Sequence, residues 1–369
     1  MMLDHHTRAE DVRVTTAFDI SAISDEAIRR DYIHLQRRAE NLSVSFAEGY
    51  GRPASPIRFR YINESEFNAF ASCEGDGYLV ELNAAIPLFV MILFYRLLTD
   101  PRVLPHLDAS GMVASNFELP FIVDPDDFDR RVDWKVAANP IRAFAAGTLA
   151  DLCSTFVVLH EFAHVLCGHT EGLLHFEKDR KLAEMVTRAR PKRKGKARDT
   201  AIARRKAWEA DADVVAAAFL VQFVDELVHV DEANVRTRQV FSHAEGFHLE
   251  HTLAITVAAL FAFFSYVQGA RDKLDRTSDH PHPQVRARLV KDILFQVAAE
   301  RWDMDGEKFH ALLDERMDEM MVVLEDVGLF DPKQFTAAFD RRIDRECAGL
   351  RKLRDRYRES CAQWCWVEW

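Results

Sequence analysis

Apolar positions recur at helical spacing along most of this chain, while strict apolar/polar alternation is confined to short stretches in its first quarter. A brief alternation over Val12, Val14, Thr16, Phe18 and Ile20 leads into a charged helix expected from about Asp25 to Ala47. The stretch GYGRPASP then breaks the pattern. Two strands are predicted: Ile57 to Ile62, and Tyr78 to Leu82 after the turn signal GDG. An apolar helix follows over 84–98, entered through Pro87, and a loop rich in Pro and Asp spans 99–140. Further helices are predicted from Ala145 to Leu166, over 201–229 and over 252–268, and the segment 284–369 reads as charged and helical. The fold class expected is mainly α with a small β-sheet (α+β).

Composition adds little to this picture. With 48% hydrophobic and 29% charged residues in 369, the chain can bury a sizeable core. The run from Thr252 to Ala270 has no charged residue, yet it holds Thr, Ser, Gln and Gly and is marginal in length for a membrane span, so a buried core helix is expected. The first residues show no apolar leader-like run, and six cysteines lack a framework spacing; both point to reduced thiols and a cytoplasmic setting.

The charge is uneven. Net charge is −11, but residues 188–206 hold ten basic residues against the single acid Asp199. This basic linker, with Pro191 and Gly195, reads as a solvated loop or as a surface that docks an acidic partner. No nucleic-acid motif accompanies it, so nucleic acid is not the expected partner. Trp364, Trp366 and Trp369 close the chain and read as a packing anchor, with a partner-binding role as the alternative.

The chemistry concentrates in His160-Glu161-Phe162-Ala163-His164. Residues four apart share a helix face, so both imidazoles can serve one tetrahedral zinc ion. Glu161 lies beside them as the base for a water activated by the ion. The apolar run Phe156-Val157-Val158-Leu159 places this motif on a core helix. A catalytic zinc takes three protein ligands. The third is read as Glu209, in Trp208-Glu209-Ala210-Asp211-Ala212-Asp213, because acids that open so apolar a helix need partners. Asp213, four residues on, fits as the acceptor that orients a ligand histidine. Asp211 projects from another face and is the weaker candidate.

HExxH followed by E-x-x-x-D resembles the glutamate-ligand zincins, the gluzincins, and within them the group of HtpX heat-shock peptidases and CAAX prenyl endopeptidases. Further pieces match that group in order. Asn68-Ala69-Phe70-Ala71 resembles its NAF segment, which implies substrate binding by Asn68, Ala69 and Phe70 and an edge strand at Tyr78 to Leu82. Gly168-His169 is similar to the group's common histidine just after the metal motif. His280-Pro281 with Arg286 resembles its H-P-x-x-x-x-R segment, which implies that His280 (or the nearby His282) stabilises the oxyanion. The resemblance covers roughly residues 57–290. A more general similarity to phage-exclusion Lit-type HExxH peptidases implies a toxin or defence role.

The resemblance thus implies a zincin-like metallopeptidase core over 51–290, preceded by a strand and helix segment (1–50) and followed by a helical C-terminal extension (291–369). The activity implied is zinc-dependent endopeptidase cleavage of a cytoplasmic protein, with one Zn2+ per chain, in a stress, toxin or phage-defence role. The alternatives are a catalytically silent, zinc-stabilised binding or regulatory protein and a different zinc hydrolase on a similar scaffold.

Overall fold

The structure, a computed structural model, describes residues 16–52, 56–108, 119, 139–178, 181–183, 196–229, 235–243, 246–247, 249–269, 280–331, 333 and 336–367. It is mainly helical with a small sheet. Helix α1 (Glu26–Gly49) starts where Asp25 accepts from the amides of Ala27 and Ile28, satisfying N–H groups the helix leaves open. Strands β1 (Ile57–Ile62), β2 (Ala69–Glu74) and β3 (Gly77–Asn83) follow, then the apolar helix α2 (Ala85–Leu98).

Helix α3 (Pro140–Leu166) begins five residues before the expected Ala145. Asn139 accepts from the amides of Ile141 and Arg142, and Pro140 supplies a first helical residue whose missing N–H costs nothing there. The buried Arg142 then donates to the carbonyls of Leu98, Asp100, Val103, Leu104 and Leu107, fastening the segment after α2 to α3. A short helix α4 (His169–Glu177) and strand β4 (Lys181–Ala183) precede the long α5 (Lys196–His229). Helix α6 (Val235–Phe241), a two-stranded ribbon of β5 (Ser242–His243) and β6 (Gly246–Phe247), and α7 (Leu249–Gly269) come next. Helices α8 (Pro283–Arg301), α9 (Gly306–Asp326) and α10 (Ala337–Cys361) complete the chain.

The larger sheet has the order β1-β3-β2-β4. β1 and β3 run parallel, while β2 pairs antiparallel with both β3 and β4. Tyr78 to Leu82 is therefore an interior strand and not the expected edge. Apolar side chains on β3 and hydrogen bonding along both flanks leave every residue of Gly77–Asn83 buried.

Helix α3 is the central rod, packed against α2, α5 and the sheet. The stretch considered as a membrane span lies in α7, where 89% of the apolar window Leu249–Val267 is buried against α8, α9 and other elements. One hydrophobic core draws on Ile28 and Tyr32 of α1, the sheet, α2, α3, α7, and Phe309 and Met320 of α9.

The basic linker is also corrected. Residues 196–206 belong to α5, and within it Arg204 and Arg205 are buried on Glu177 of α4. The carboxylate gives two guanidinium groups a reason to turn inward. Residues 188–195, like Trp369 and the alternation before Thr16, lie outside the described residues.

Candidate metal centre

Three segments supply the site. α3 contributes His160, Glu161 and His164 on its last two turns, all at most 1% exposed. α5 crosses α3 and contributes Glu209, Asp211 and Asp213, likewise buried. His280, just before α8, and Arg286, in its first turn, come from the third segment.

The donor atoms converge. His160 Nε2 stands 3.1 Å from His164 Nε2. Glu209 Oε2 lies 3.4 Å from His160 Nε2, and Glu209 Oε1 lies 3.7 Å from His164 Nε2. Donors held about 2.0–2.2 Å from a tetrahedral ion stand about 3.3–3.6 Å from one another. The three separations, 3.1, 3.4 and 3.7 Å, bracket that spacing. Among the described residues, His160, His164 and Glu209 form one of two buried groups whose donor atoms all lie within 4.8 Å of one another.

The outer ring nitrogens fix the inner ones. His160 Nδ1 is 3.0 Å from Asp213 Oδ1, and Asp213 accepts two bonds of 2.8 Å from Arg286. With its Nδ1–H given to Asp213, a neutral His160 presents a bare Nε2 lone pair to the centre. A cluster of such lone pairs and a carboxylate suits a divalent cation. Burial works against the charge on Glu209, but His280, His160 and His164 outweigh it and hold the carboxyl well below its usual range.

His280 Nδ1 lies 3.2 Å from Glu209 Oε2, which puts this histidine at the centre's rim. His282 is committed elsewhere: it caps α8 by accepting from the amide of Gln284 and packs its ring on Phe339. Asn68 and Ala69 are buried at the start of β2, and Phe70 pairs with Glu81 on β3 and Ala183 on β4. Glu161 is fully buried on α3 beside His160.

A second polar cluster joins His169 and Asp211, both noted in the sequence, to Arg354 and Arg358, which were not. His164 Nδ1 is 3.0 Å from Nδ1 of His169, whose Nε2 lies 3.5 Å from Asp211 Oδ2. Oδ1 of Asp211 accepts from Arg354 at 3.0 and 3.1 Å and from Arg358 at 2.5 Å. Burial would raise the Asp211 carboxyl, but His169, Arg354 and Arg358 bring it far below its usual value. Two signals could have found this cluster: an acid inside an apolar helix, and two arginines four apart on one face of α10.

Compared with protein-family models, curated proteins and solved structures, the chain gives no match.

Proposed function

We propose that the chain is a zinc-dependent endopeptidase with a gluzincin-like core, acting in the cytoplasm on a protein substrate. The observation that carries this reading is the convergence of His160, His164 and Glu209 at tetrahedral spacing, with Glu161 next to a ligand on the same helix. Six free cysteines are in keeping with the cytoplasmic placement.

His160, His164 and Glu209 would hold the ion, which supplies Lewis acidity toward a water and a peptide carbonyl. Glu161 takes the proton of the attacking water and returns it to the leaving amine. His280 donates toward the oxygen that becomes negative. Asp213 and Arg286 hold His160 in the tautomer that offers Nε2 inward.

A second reading, a zinc-stabilised binding or regulatory protein without catalysis, is favoured by the depth of the site. None of His160, Glu161, His164, Glu209 and His280 is more than 5% exposed. Cleavage of casein and of a whole-cell lysate by the wild type beside Glu161→Gln separates the two. Cleavage by the wild type alone supports the peptidase. Equal inactivity of both, with one zinc in each, supports the silent protein.

A further inference from the structure

The C-terminal helix reaches the metal centre by a path that needs no contact with the ion. Gly168 makes it possible. Its φ of +69° turns the chain straight out of α3 and into α4, so that His169 faces back onto His164. A Cβ at Gly168 would sit 2.8 Å from Trp364 Cβ, so the same position also lets the tail after α10 approach. That tail caps α3, with the amide of Trp366 donating to Leu166 at 2.7 Å.

We propose that α10 is a positioning element of the metal centre: Arg354 and Arg358, through Asp211 and His169, fix the ring orientation and tautomer of His164. The proposal rests on the metal-site reading above. Its geometry is a single line of polar contacts. The arginines hold Oδ1 of Asp211, leaving Oδ2 to face Nε2 of His169 at 3.5 Å and favour its proton on that nitrogen. Nδ1 of His169 is then a bare acceptor for Nδ1–H of His164, and His164 must present Nε2 inward. Trp208 stacks on the His169 ring at 5.4 Å between centroids and an angle of 21°, which limits its rotation. Every ring and the carboxylate in this line is at most 2% exposed, so water does not replace a lost partner. His160 is braced by Asp213 of α5 and Arg286 of α8, and His164 is braced, through His169 and Asp211, by Arg354 and Arg358 of α10. Both ligand histidines thus depend on arginines from the C-terminal half of the chain.

Cys167, His169 and Asp211 also lie close enough together to suggest a second metal ion. The two guanidinium groups on Asp211 argue against it, because they already supply the positive charge a cation would bring.

The test measures zinc stoichiometry, zinc affinity by chelator competition, and the visible absorption of the Co2+-loaded full chain. The variants are His169→Phe, Asp211→Asn, the double Arg354→Ala/Arg358→Ala and the double Arg354→Lys/Arg358→Lys. The expected result is one zinc per wild-type chain, with affinity about 10–100-fold weaker in His169→Phe and Asp211→Asn. A shifted Co2+ spectrum should accompany it, and the lysine double should stay closer to wild type than the alanine double. His169→Phe keeps the stacked ring on Trp208, so it reports on the nitrogens even if the arginine variants fold poorly. Wild-type affinity and spectrum in both His169→Phe and Asp211→Asn would overturn the proposal and leave the metal site standing. Two metals per wild-type chain, one of them lost in Cys167→Ala, would overturn it in favour of a second site. No metal in the wild type would overturn both this proposal and the reading it rests on.

Discussion

Asp213 lies between His160 and Arg286, 3.0 Å from the ring nitrogen of one and 2.8 Å from the guanidinium of the other. One buried carboxylate therefore serves two purposes. It orients the ring of His160, and it neutralises an arginine whose side chain is only 2% exposed. Asp213→Ala should cost about 3–5 kcal/mol of stability, because it leaves that arginine buried and uncompensated. Asp213→Asn should cost less stability but still weaken zinc about 10–100-fold. Denaturant melts and chelator competition measure the two effects separately.

His280 sits beside Glu209 without belonging to the tetrahedral triplet. His280→Ala should therefore keep one zinc per chain and lower turnover about 10²–10³-fold. Metal analysis and cleavage rates on the same preparation check this. Loss of zinc in this variant would make His280 a ligand and displace its assigned role.

Acid stability should depend on Glu177. Burial pushes this carboxyl up, but Arg205 and Arg204 outweigh it and bring it below its usual value of 4.5. A group depressed in the folded state stabilises fully above its unfolded value, and that contribution fades as pH falls through the folded one. Glu177→Gln should thus cost about 3 kcal/mol near neutrality, by breaking a buried pair. The gap between variant and wild type should narrow steadily below pH 4.5 in urea melts run across the acid range.

Chelation should loosen the chain as well as inactivate it. Metal bound only by the folded state stabilises it by about 4 kcal/mol when free metal is a thousandfold above its dissociation constant. Differential scanning calorimetry with and without a strong chelator should show a lower Tm for the stripped protein, restored by added zinc.

The candidate metal-binding triplet was legible because His160 and His164 share a helix face and Glu209, on another helix, stands in an apolar stretch that does not tolerate an idle acid. The long helices were legible from periodicity, while their starts depended on caps, and the short α4 and α6 were not read at all. Asn139 and Pro140 carry α3 back to residue 140, and α5 starts inside the basic run. Strand order was not legible. Tyr78 to Leu82 reads the same whether it lies at an edge or inside, and only the pairing of β1 and β2 on either side decides it. The Asp211 cluster was hidden for a different reason. Its partners Arg354 and Arg358 lie more than 140 positions away, and an arginine pair on a charged helix ordinarily faces water.

The most direct measurement is the zinc content of the purified wild type beside His164→Ala and Glu209→Ala, with circular dichroism to establish that each variant folds. One zinc per wild-type chain, lost or greatly weakened in both folded variants, is the predicted result. A wild type without zinc, or variants that keep it at full strength, would contradict the metal centre on which the proposed activity depends.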